Sequence, residues 1–281
     1  MMLKKLDYVK NSIREIENVF ICPVCKNDMY LFENSLKCHG NHCFDISKKG
    51  CLTLMKNTRK INEKIYDNML FQNRTEFIDY GFYEKMHKKI AEIISDSYSE
   101  IIVDMGCGDG THDKKICDLV DNKKINLIGI DLSKVGVEYF SNYVSDNFIP
   151  VVSDLNNMPI NDSSVDLILN ILSPSNENEM KRNLKKDGLI IKVTPKRDYL
   201  KELRDAFSIK EYENEEIIES NIRKNYVVVD KFEINDNYNM NSVQSSSLVM
   251  MTPLTRTMDK NVNIDNITIS LNIYVLKIKE N

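Results

Sequence analysis

The sequence of 281 residues predicts an α/β protein in two parts, in which a small cysteine-rich module precedes a larger domain built on a parallel sheet. Two observations support this prediction. Four of the seven cysteines lie between positions 22 and 43. From about residue 84 onward, short apolar segments alternate with stretches long enough for helices, a pattern that predicts parallel strands joined by crossover helices.

The charge is distributed as unevenly as the cysteines. The chain has 38 Lys and Arg residues against 42 Asp and Glu, for a net charge of −4. Residues 1–60 hold 11 basic and 6 acidic side chains, a balance of +5, so residues 61–281 carry −9. With 42% hydrophobic residues, the chain can bury a sizeable core and is neither disordered nor fibrous. We expect a basic head over residues 1–60, connecting helices over 61–90 and the main domain over 91–281.

The N-terminus and the hydropathy pattern bear on the cellular compartment. The first ten residues include charged side chains where a signal peptide has an apolar core. No apolar run approaches the roughly 20 residues that cross a bilayer. We therefore expect a cytoplasmic protein without a membrane partner, whose cysteines serve as metal ligands or buried thiols and not as disulfides.

The cysteines near the N-terminus have the spacing of a zinc site. Cys22 and Cys25 form a Cys-x2-Cys pair, and after twelve residues Cys38 begins a second pair, Cys38-x3-His42. Zinc favours four thiolate or imidazole ligands in a tetrahedron, and one tight Cys-x-x-Cys turn supplies two of them. A closed set of four ligands leaves no place for a reacting water, so we expect a structural zinc ion in a small zinc-ribbon module.

The fourth zinc ligand has two candidates. His42 is favoured, and Cys43 would complete an all-thiolate set at a Cys38-x4-Cys43 spacing. His39 lies in the same segment, but it directly follows Cys38, and two adjacent side chains would struggle to point at one ion. The spacing leaves the choice between His42 and Cys43 open.

A glycine-rich loop follows the first strand of the main domain. Its residues of interest are Asp104, Gly106, Gly108, Asp109 and Gly110. Glycines permit positive φ angles and let a ligand approach the backbone, but several nucleotide-binding families share this pattern. Here Asp104 stands two residues before the first glycine, and no Lys-Ser/Thr pair for phosphate follows. Both departures suit a cofactor with a cationic amino-acid end and no phosphate, which is S-adenosylmethionine.

Acidic residues also end the next two strands. Asp131 ends the second strand, 27 residues after Asp104, where a carboxylate accepts hydrogen bonds from ribose hydroxyls. Asp131 alone would suit NAD as well. Asp154, followed by Leu155, ends the third strand, where an acidic residue meets the adenine amino group. The ordered set of three carboxylates predicts a class I, Rossmann-like methyltransferase domain that binds S-adenosylmethionine.

The fourth strand ends in a polar segment. Asn170, Ser173 and Pro174 lie within five residues of one another at the carboxyl edge of the predicted sheet, where ligands of open α/β sheets bind. We expect the methyl acceptor to enter there, with Asn170 as the candidate catalytic residue that positions it. Residues 184–188 are predicted to form a plain turn into the fifth strand.

With these residues assembled, the chain resembles the bacterial 23S rRNA guanine-N1 methyltransferases, in which a zinc ribbon precedes a class I methyltransferase domain. The matching segments are the zinc spacing with residues 44–50, the connector 74–83, the loop 104–110, Ser173-Pro174, Thr194-Pro195 and residues 251–253. The resemblance implies that His42 completes the zinc set with Cys22, Cys25 and Cys38. It further implies cofactor contacts from Tyr83, Gly108, Asp109 and, where the family usually has a histidine, Tyr199.

The resemblance implies methyl transfer to N1 of a guanine in a 23S rRNA hairpin of the large ribosomal subunit or its precursor. Some family members protect against macrolide-type antibiotics, and a homodimer is also implied. The candidate phosphate contacts in the basic head are Lys37, Lys48, Lys49, Lys56, Arg59 and Lys60. Two competing hypotheses are a methyltransferase for a small metabolite, whose zinc module docks a partner, and a non-enzymatic S-adenosylmethionine sensor that binds RNA.

Overall fold

The structure is a computed structural model that describes residues 3–56, 66–120, 124–144, 147–255, 258 and 262–279. Arg59 and Lys60, two of the predicted phosphate contacts, lie outside the described residues. The helices are α1 (Lys5–Glu15), α2 (Asn68–Asp79), α3 (Glu84–Asp96), α4 (Thr111–Cys117), α5 (Lys134–Phe140), α6 (Glu177–Asn183), α7 (Lys201–Ala206), α8 (Glu215–Asn225) and α9 (Ser242–Met251), with two 3-10 turns at Glu17–Val19 and Ser141–Tyr143.

Eleven strands are present in the described residues, and they form two sheets. They are β1 (Met29–Phe32), β2 (Ser35–Cys38), β3 (Cys43–Asp45), β4 (Leu52–Thr53), β5 (Ile101–Met105), β6 (Asn126–Asp131), β7 (Phe148–Val152), β8 (Val165–Ile171), β9 (Leu184–Pro195), β10 (Tyr226–Asn239) and β11 (Asn266–Ile278). In the part of the chain described, no helix has the length and apolar character that crossing a membrane requires.

The main sheet has eight strands in the order β10-β11-β9-β8-β5-β6-β7-β4. Strands β4 to β9 pair in parallel, whereas β11 is antiparallel to both β9 and β10. The parallel strands are apolar along their length because helices cover both faces; all five residues of β7, for example, are buried. The predicted class I methyltransferase architecture is confirmed.

The predicted turn at residues 184–188 is wrong, because β9 already begins at Leu184. Leu184 is buried and pairs with Val165 of β8, and the next aligned pair is Leu167 with Leu189. A register shift between these two pairs accommodates the extra residues of β9. Pairing with β8 and burial of Leu184 thus override the turn preference of the intervening polar residues.

The head consists of α1 and a three-stranded antiparallel sheet of β1, β2 and β3, and it is joined closely to the main domain. Strand β4 adds to the edge of the main sheet, pairing in parallel with β7. Backbone hydrogen bonds also join Ile21 N–H to the carbonyl of Pro159 at 3.1 Å and Asn161 N–H to that of Val19 at 2.7 Å. The head therefore holds the segment that follows β7, which borders the site described next.

Candidate active site and metal centre

A cleft of about 590 Å³ opens at the carboxyl ends of the parallel strands. The loops that follow β5, β6, β7 and β8 form its floor and sides, and residues of α2 and of the segment after α9 complete it. Open α/β sheets bind their ligands at this edge. The predicted cofactor residues that line the cleft are Tyr83, Gly106, Gly108, Asp109, Asp131, Asp154, Leu155 and Tyr199.

The glycine loop needs its glycines for two separate reasons. Gly106, Gly108 and Gly110 have φ angles of +92°, +57° and +70°, which residues with a side chain rarely adopt. In addition, a Cβ on Gly106 would stand 2.5 Å from the Oγ of Ser173, and one on Gly110 would overlap the ring of Phe140. Gly110 does not line the cleft itself, and the close approach of the Phe140 ring explains why a glycine is required there.

A comparison of Gly106 with Gly81 shows how much of the need for glycine comes from the positive φ angle and how much from the lack of space for a Cβ. Gly81 has a φ of +90°, yet a Cβ there would meet nothing within 4 Å. We expect Gly81→Ala to lower the free energy of unfolding by about 1–2 kcal/mol through backbone strain alone. Gly106→Ala should cost roughly 1–3 kcal/mol more, because its Cβ overlaps Ser173.

Chemical denaturation of both variants measures this difference. Ser173→Gly removes the atoms that the new Cβ meets, but it also removes two hydrogen bonds of Ser173 Oγ. In a Ser173→Gly background, adding Gly106→Ala should therefore cost no more than Gly81→Ala costs in wild type. Equal losses for Gly81→Ala and Gly106→Ala would contradict the close packing of the glycine loop on Ser173.

Asp131 and Asp154 present carboxylate oxygens at the ends of neighbouring strands. Asp131 Oδ2 accepts a hydrogen bond from Gly108 N–H at 3.0 Å, and its Oδ1 accepts one from Ser133 N–H at 2.7 Å. Each oxygen keeps a second lone pair, so the carboxylate is oriented and can still accept from two hydroxyls. Asp154 Oδ1 accepts from both the backbone and side-chain amides of Asn156 at 3.0 Å.

Asp104 lies beneath the glycine loop, whereas Asp109 belongs to the loop and lines the cleft. Asp104 is buried and does not line the cleft, and its Oδ1 has no hydrogen-bond partner in the described chain. Burial raises the pKa of Asp104 to about 7. The carboxylate of Asp109 accepts hydrogen bonds from Thr75 Oγ1 and Thr111 N–H, both at 3.1 Å, so it fastens α2 to the loop. Asp104 therefore lies beneath the loop, next to the buried acid Asp113, and does not contact the cleft directly.

Two tyrosines and two histidines form a polar cluster at the cleft, in which Tyr83 and His87 are buried and His112 and Tyr199 are partly exposed. The hydroxyls of Tyr83 and Tyr199 are 2.7 Å apart. The ring of Tyr83 packs edge-on against His112, with centroids 5.0 Å apart. His112 lines the cleft, and its Nδ1 is 2.8 Å from Nε2 of His87. Burial lowers the pKa of His87 to about 4 and that of His112 well below its usual value, so both imidazoles are neutral near pH 7.

Arg74 is a cleft residue whose role the sequence reasoning missed. Its Nη2 donates to the carbonyl of Met251 at 3.3 Å, which ties α2 to the end of α9. Burial raises the pKa of Asp131, and the positive charge of Arg74 opposes that rise. Arg74 is the guanidinium among the residues that line the cleft, so it is a candidate partner for an anionic group such as a carboxylate.

Asn170 lies beneath the cleft wall and does not line the cleft. It is fully buried, and its Nδ2 donates to Met105 O at 2.8 Å, Ser173 Oγ at 2.6 Å and Pro174 O at 3.1 Å. Its Oδ1 accepts from Lys192 Nζ at 2.5 Å. The structure therefore supports Asn170 as the residue that holds the Ser173–Pro174 segment in position, and not as a direct contact of a methyl acceptor.

The predicted zinc ligands lie together in the head. The ligand atoms of Cys22, Cys25, Cys38 and His42 are all within 4.8 Å of one another. Cys38 Sγ is 3.5 Å from both Cys25 Sγ and His42 Nδ1, which suits ligands on one tetrahedral ion. Cys43 is exposed and lies opposite Lys37 in the sheet, outside the cluster, so the geometry favours His42 as the fourth ligand. The donor set fits zinc.

The metal centre is joined to the rim of the cleft. Asn157 Nδ2 donates to the carbonyl of Pro23, within the Cys22–Cys25 turn, at 3.1 Å, and Lys26 donates to Asn157 Oδ1. The backbone N–H of Asn157 in turn donates to the carbonyl of Asp154 at 2.9 Å. Only two residues thus separate Asp154, a cleft carboxylate, from Asn157, whose side chain holds the metal-binding turn.

Comparisons with known proteins agree with this division of the site. A family model described as "RlmA, N-terminal" matches residues 20–61, and one described as "Methyltransferase domain" matches residues 102–188. The chain is 38% identical over 196 residues to a protein of Bacillus subtilis (strain 168) named "Putative 23S rRNA (guanine-N(1)-)-methyltransferase YxjB"; the match covers 66% of this chain and 68% of that protein.

The chain is also similar to one further curated protein and to one solved structure. A 23S rRNA (guanine(748)-N(1))-methyltransferase of Streptomyces fradiae is 25% identical over 204 residues, which cover 71% of this chain and 70% of that protein. Among solved structures, the YcgJ protein from Bacillus subtilis aligns with a TM-score of 0.45 at 16% identity, covering 70% of this chain and 100% of that chain. By its match to YxjB and its zinc-ribbon head, the chain belongs to the family of 23S rRNA (guanine-N1)-methyltransferases.

Proposed function

We propose that this protein transfers a methyl group from S-adenosylmethionine to N1 of a guanine in a hairpin of 23S rRNA. One observation supports the proposal above all: the zinc-binding turn is hydrogen-bonded to Asn157, which is three residues from Asp154 in the cleft. A basic module that grips RNA would therefore sit directly beside the reaction site. We further propose that residues 1–60 form the RNA-recognition module and that residues 91–281 form the methyltransferase domain. Residues 61–90 would connect the two.

The cleft residues have distinct roles in this proposal. S-adenosylmethionine, when bound, supplies a methyl group already activated on a sulfonium, so the protein must mainly align the reactants. Asp131 would accept hydrogen bonds from the ribose hydroxyls, and Asp154 would face the adenine. Tyr83 and Tyr199 would close over the cofactor beside the glycine loop, as their contact with each other suggests.

The acceptor would enter over the Ser173–Pro174 segment, where the backbone is held by Asn170. A guanine in a hairpin must leave its stack to reach such a cleft, at a cost of a few kcal/mol. Contacts made by the head would offset that cost. Lys48 and Lys56 are exposed in the head, whereas Lys49 is paired with Glu138 at 2.8 Å and is a weaker candidate for phosphate contact.

The proposal is tested with 23S rRNA from a strain that lacks the gene. The purified protein should transfer tritium-labelled methyl from S-adenosylmethionine into this rRNA, and not into rRNA from the parent strain. Because a methyl group on guanine N1 blocks Watson–Crick pairing, reverse transcription should stop at one new position. Label in a metabolite extract without label in rRNA would contradict the proposal, as would cofactor and RNA binding without any transfer.

The finer parts of the proposal concern partners and physiological role. We propose the large ribosomal subunit or its precursor as the substrate particle, met in the cytoplasm, and a homodimer as the active form. We also propose protection against a macrolide-type antibiotic, following the family resemblance. Deleting the gene should then lower the minimal inhibitory concentration of such an antibiotic, and restoring the wild-type gene should raise it again.

A further inference from the structure

We propose that the outer face of the three-stranded sheet in the head stacks unpaired bases of the RNA substrate. This aromatic face consists of Tyr30, Phe32, Lys37 and His39. The inference rests on the proposed RNA substrate, and it adds the residues and the mode by which the head would recognise that RNA.

The aromatic face arises from the alternation of side chains along β1 and β2. Met29 and Leu36 point into the core and are buried, whereas Tyr30 and Phe32 are 37% and 45% exposed. Tyr30 lies directly opposite Lys37 in the sheet register, so the two side chains project from the same face. Two aromatic rings are thus left outside a module that already has apolar residues in its core.

The side chains of this face contact one another in a way that leaves ring surface open. Lys37 Nζ is 3.7 Å from the centroid of the Phe32 ring, and Lys37 makes no ion pair within the described chain. The rings of Tyr30 and His39 are 5.5 Å apart and tilted by 38°. Next to this face, the hydroxyl of Ser35 on β2 donates to Oδ1 of Asp45 on β3 at 2.6 Å. The Asp45 carboxylate is therefore held by Ser35 and makes no ion pair with Lys37.

This combination of groups suits single-stranded RNA. Proteins recognise unpaired bases largely by stacking them on exposed aromatic rings, often on a sheet surface, and a nearby cation contacts the phosphates. The ammonium group of Lys37 can contact either the Phe32 ring or an RNA phosphate, because its aliphatic stem is flexible. A fully paired helix offers no open base face to Tyr30 or Phe32. A protein partner would favour a more continuous apolar surface than one interrupted by Lys37 and Ser35.

The position of the aromatic face connects it with the reaction site. Cys38, a proposed zinc ligand, ends the strand that carries Lys37, and His39 follows it. The same metal centre is joined to the cleft rim through Pro23 and Asn157. Bases stacked on the aromatic face would therefore be held on the module that borders the cleft.

Binding of unmodified 23S rRNA to Tyr30→Ala, Phe32→Ala and the double variant tests this inference at one fixed salt concentration. Each single substitution should weaken binding by roughly 5- to 100-fold, and the double variant more. Phe32→Tyr should bind like wild type, because it keeps a ring. Tyr98→Ala removes a ring that is 99% exposed in the main domain and should leave RNA affinity unchanged. Zinc content and melting temperature should be the same in all variants.

Several outcomes would overturn the inference. These are RNA affinity within twofold of wild type for the double variant, an equal loss for Tyr98→Ala, or equal losses for a fully paired RNA duplex. A changed oligomeric state with unchanged RNA affinity would instead make the aromatic face a protein interface. If wild type labels rRNA and the double variant binds normally, this inference alone fails; if wild type neither binds nor labels rRNA, the proposed function fails with it.

Discussion

Replacing Cys38 with Ser is expected to release zinc from the head and to abolish methyl transfer. Cys38 is buried, with its Sγ 3.5 Å from two other ligand atoms, so its loss leaves three of the four clustered ligands. Structural zinc ions contribute on the order of 10 kcal/mol or more to the folding of small modules, far more than a head of this size can gain from its core. Zinc content measured by mass spectrometry should fall from one ion per chain to nearly none.

Cys43→Ser provides the matched control for Cys38→Ser. Cys43 is a neighbouring cysteine of the same module, but it is exposed and lies outside the ligand cluster. This variant should keep one zinc ion, its melting temperature and its activity. Loss of zinc from Cys43→Ser, together with retention of zinc by His42→Ala, would contradict the assignment of His42 as the fourth ligand.

Asp131→Ala is expected to cause the largest loss of cofactor affinity of any single change in the cleft. The carboxylate is held by Gly108 N–H and Ser133 N–H and would accept two charge-assisted hydrogen bonds from the ribose. Such bonds contribute about 1.5–3 kcal/mol each, so losing both should weaken binding on the order of 100-fold or more. Isothermal titration with S-adenosylhomocysteine measures this change.

Two further variants make the experiment on Asp131 specific. Asp131→Asn keeps one acceptor oxygen and should lie between wild type and Asp131→Ala. Asp118→Ala removes a carboxylate that pairs with Lys114 on the surface of α4 and does not line the cleft. It should bind the cofactor normally. Equal affinity of wild type and Asp131→Ala would exclude the proposed ribose contact.

The parts of the site that were predictable from sequence follow from local rules. Carboxyl ends of parallel strands meet at one edge of a sheet, so Asp131 and Asp154 were expected to face the same cleft. The ligand spacing of the zinc site is equally local, because Cys22 and Cys25 belong to one turn. Each of these features needs only the order of strands and turns along the chain.

The features that sequence reasoning did not resolve depend on side-chain direction and on helix packing. Asn170 was placed at the correct end of β8, but adjacent strand residues point to opposite faces, and it is Ile171 that lines the cleft. His87 and His112 belong to different helices, α3 and α4, and meet only because those helices pack together. No periodicity within either helix predicts that contact.

The two-residue strand β4 has a consequence for how this chain can be divided. Leu52 and Thr53 cover the edge of β7, a strand whose five residues are all buried in the full chain. A truncated chain without the head would leave an apolar edge strand open to pairing with other molecules, which promotes aggregation. The head thus covers one edge of the main sheet. Deleting the head would change both RNA binding and solubility, whereas a point substitution such as Phe32→Ala tests RNA binding alone.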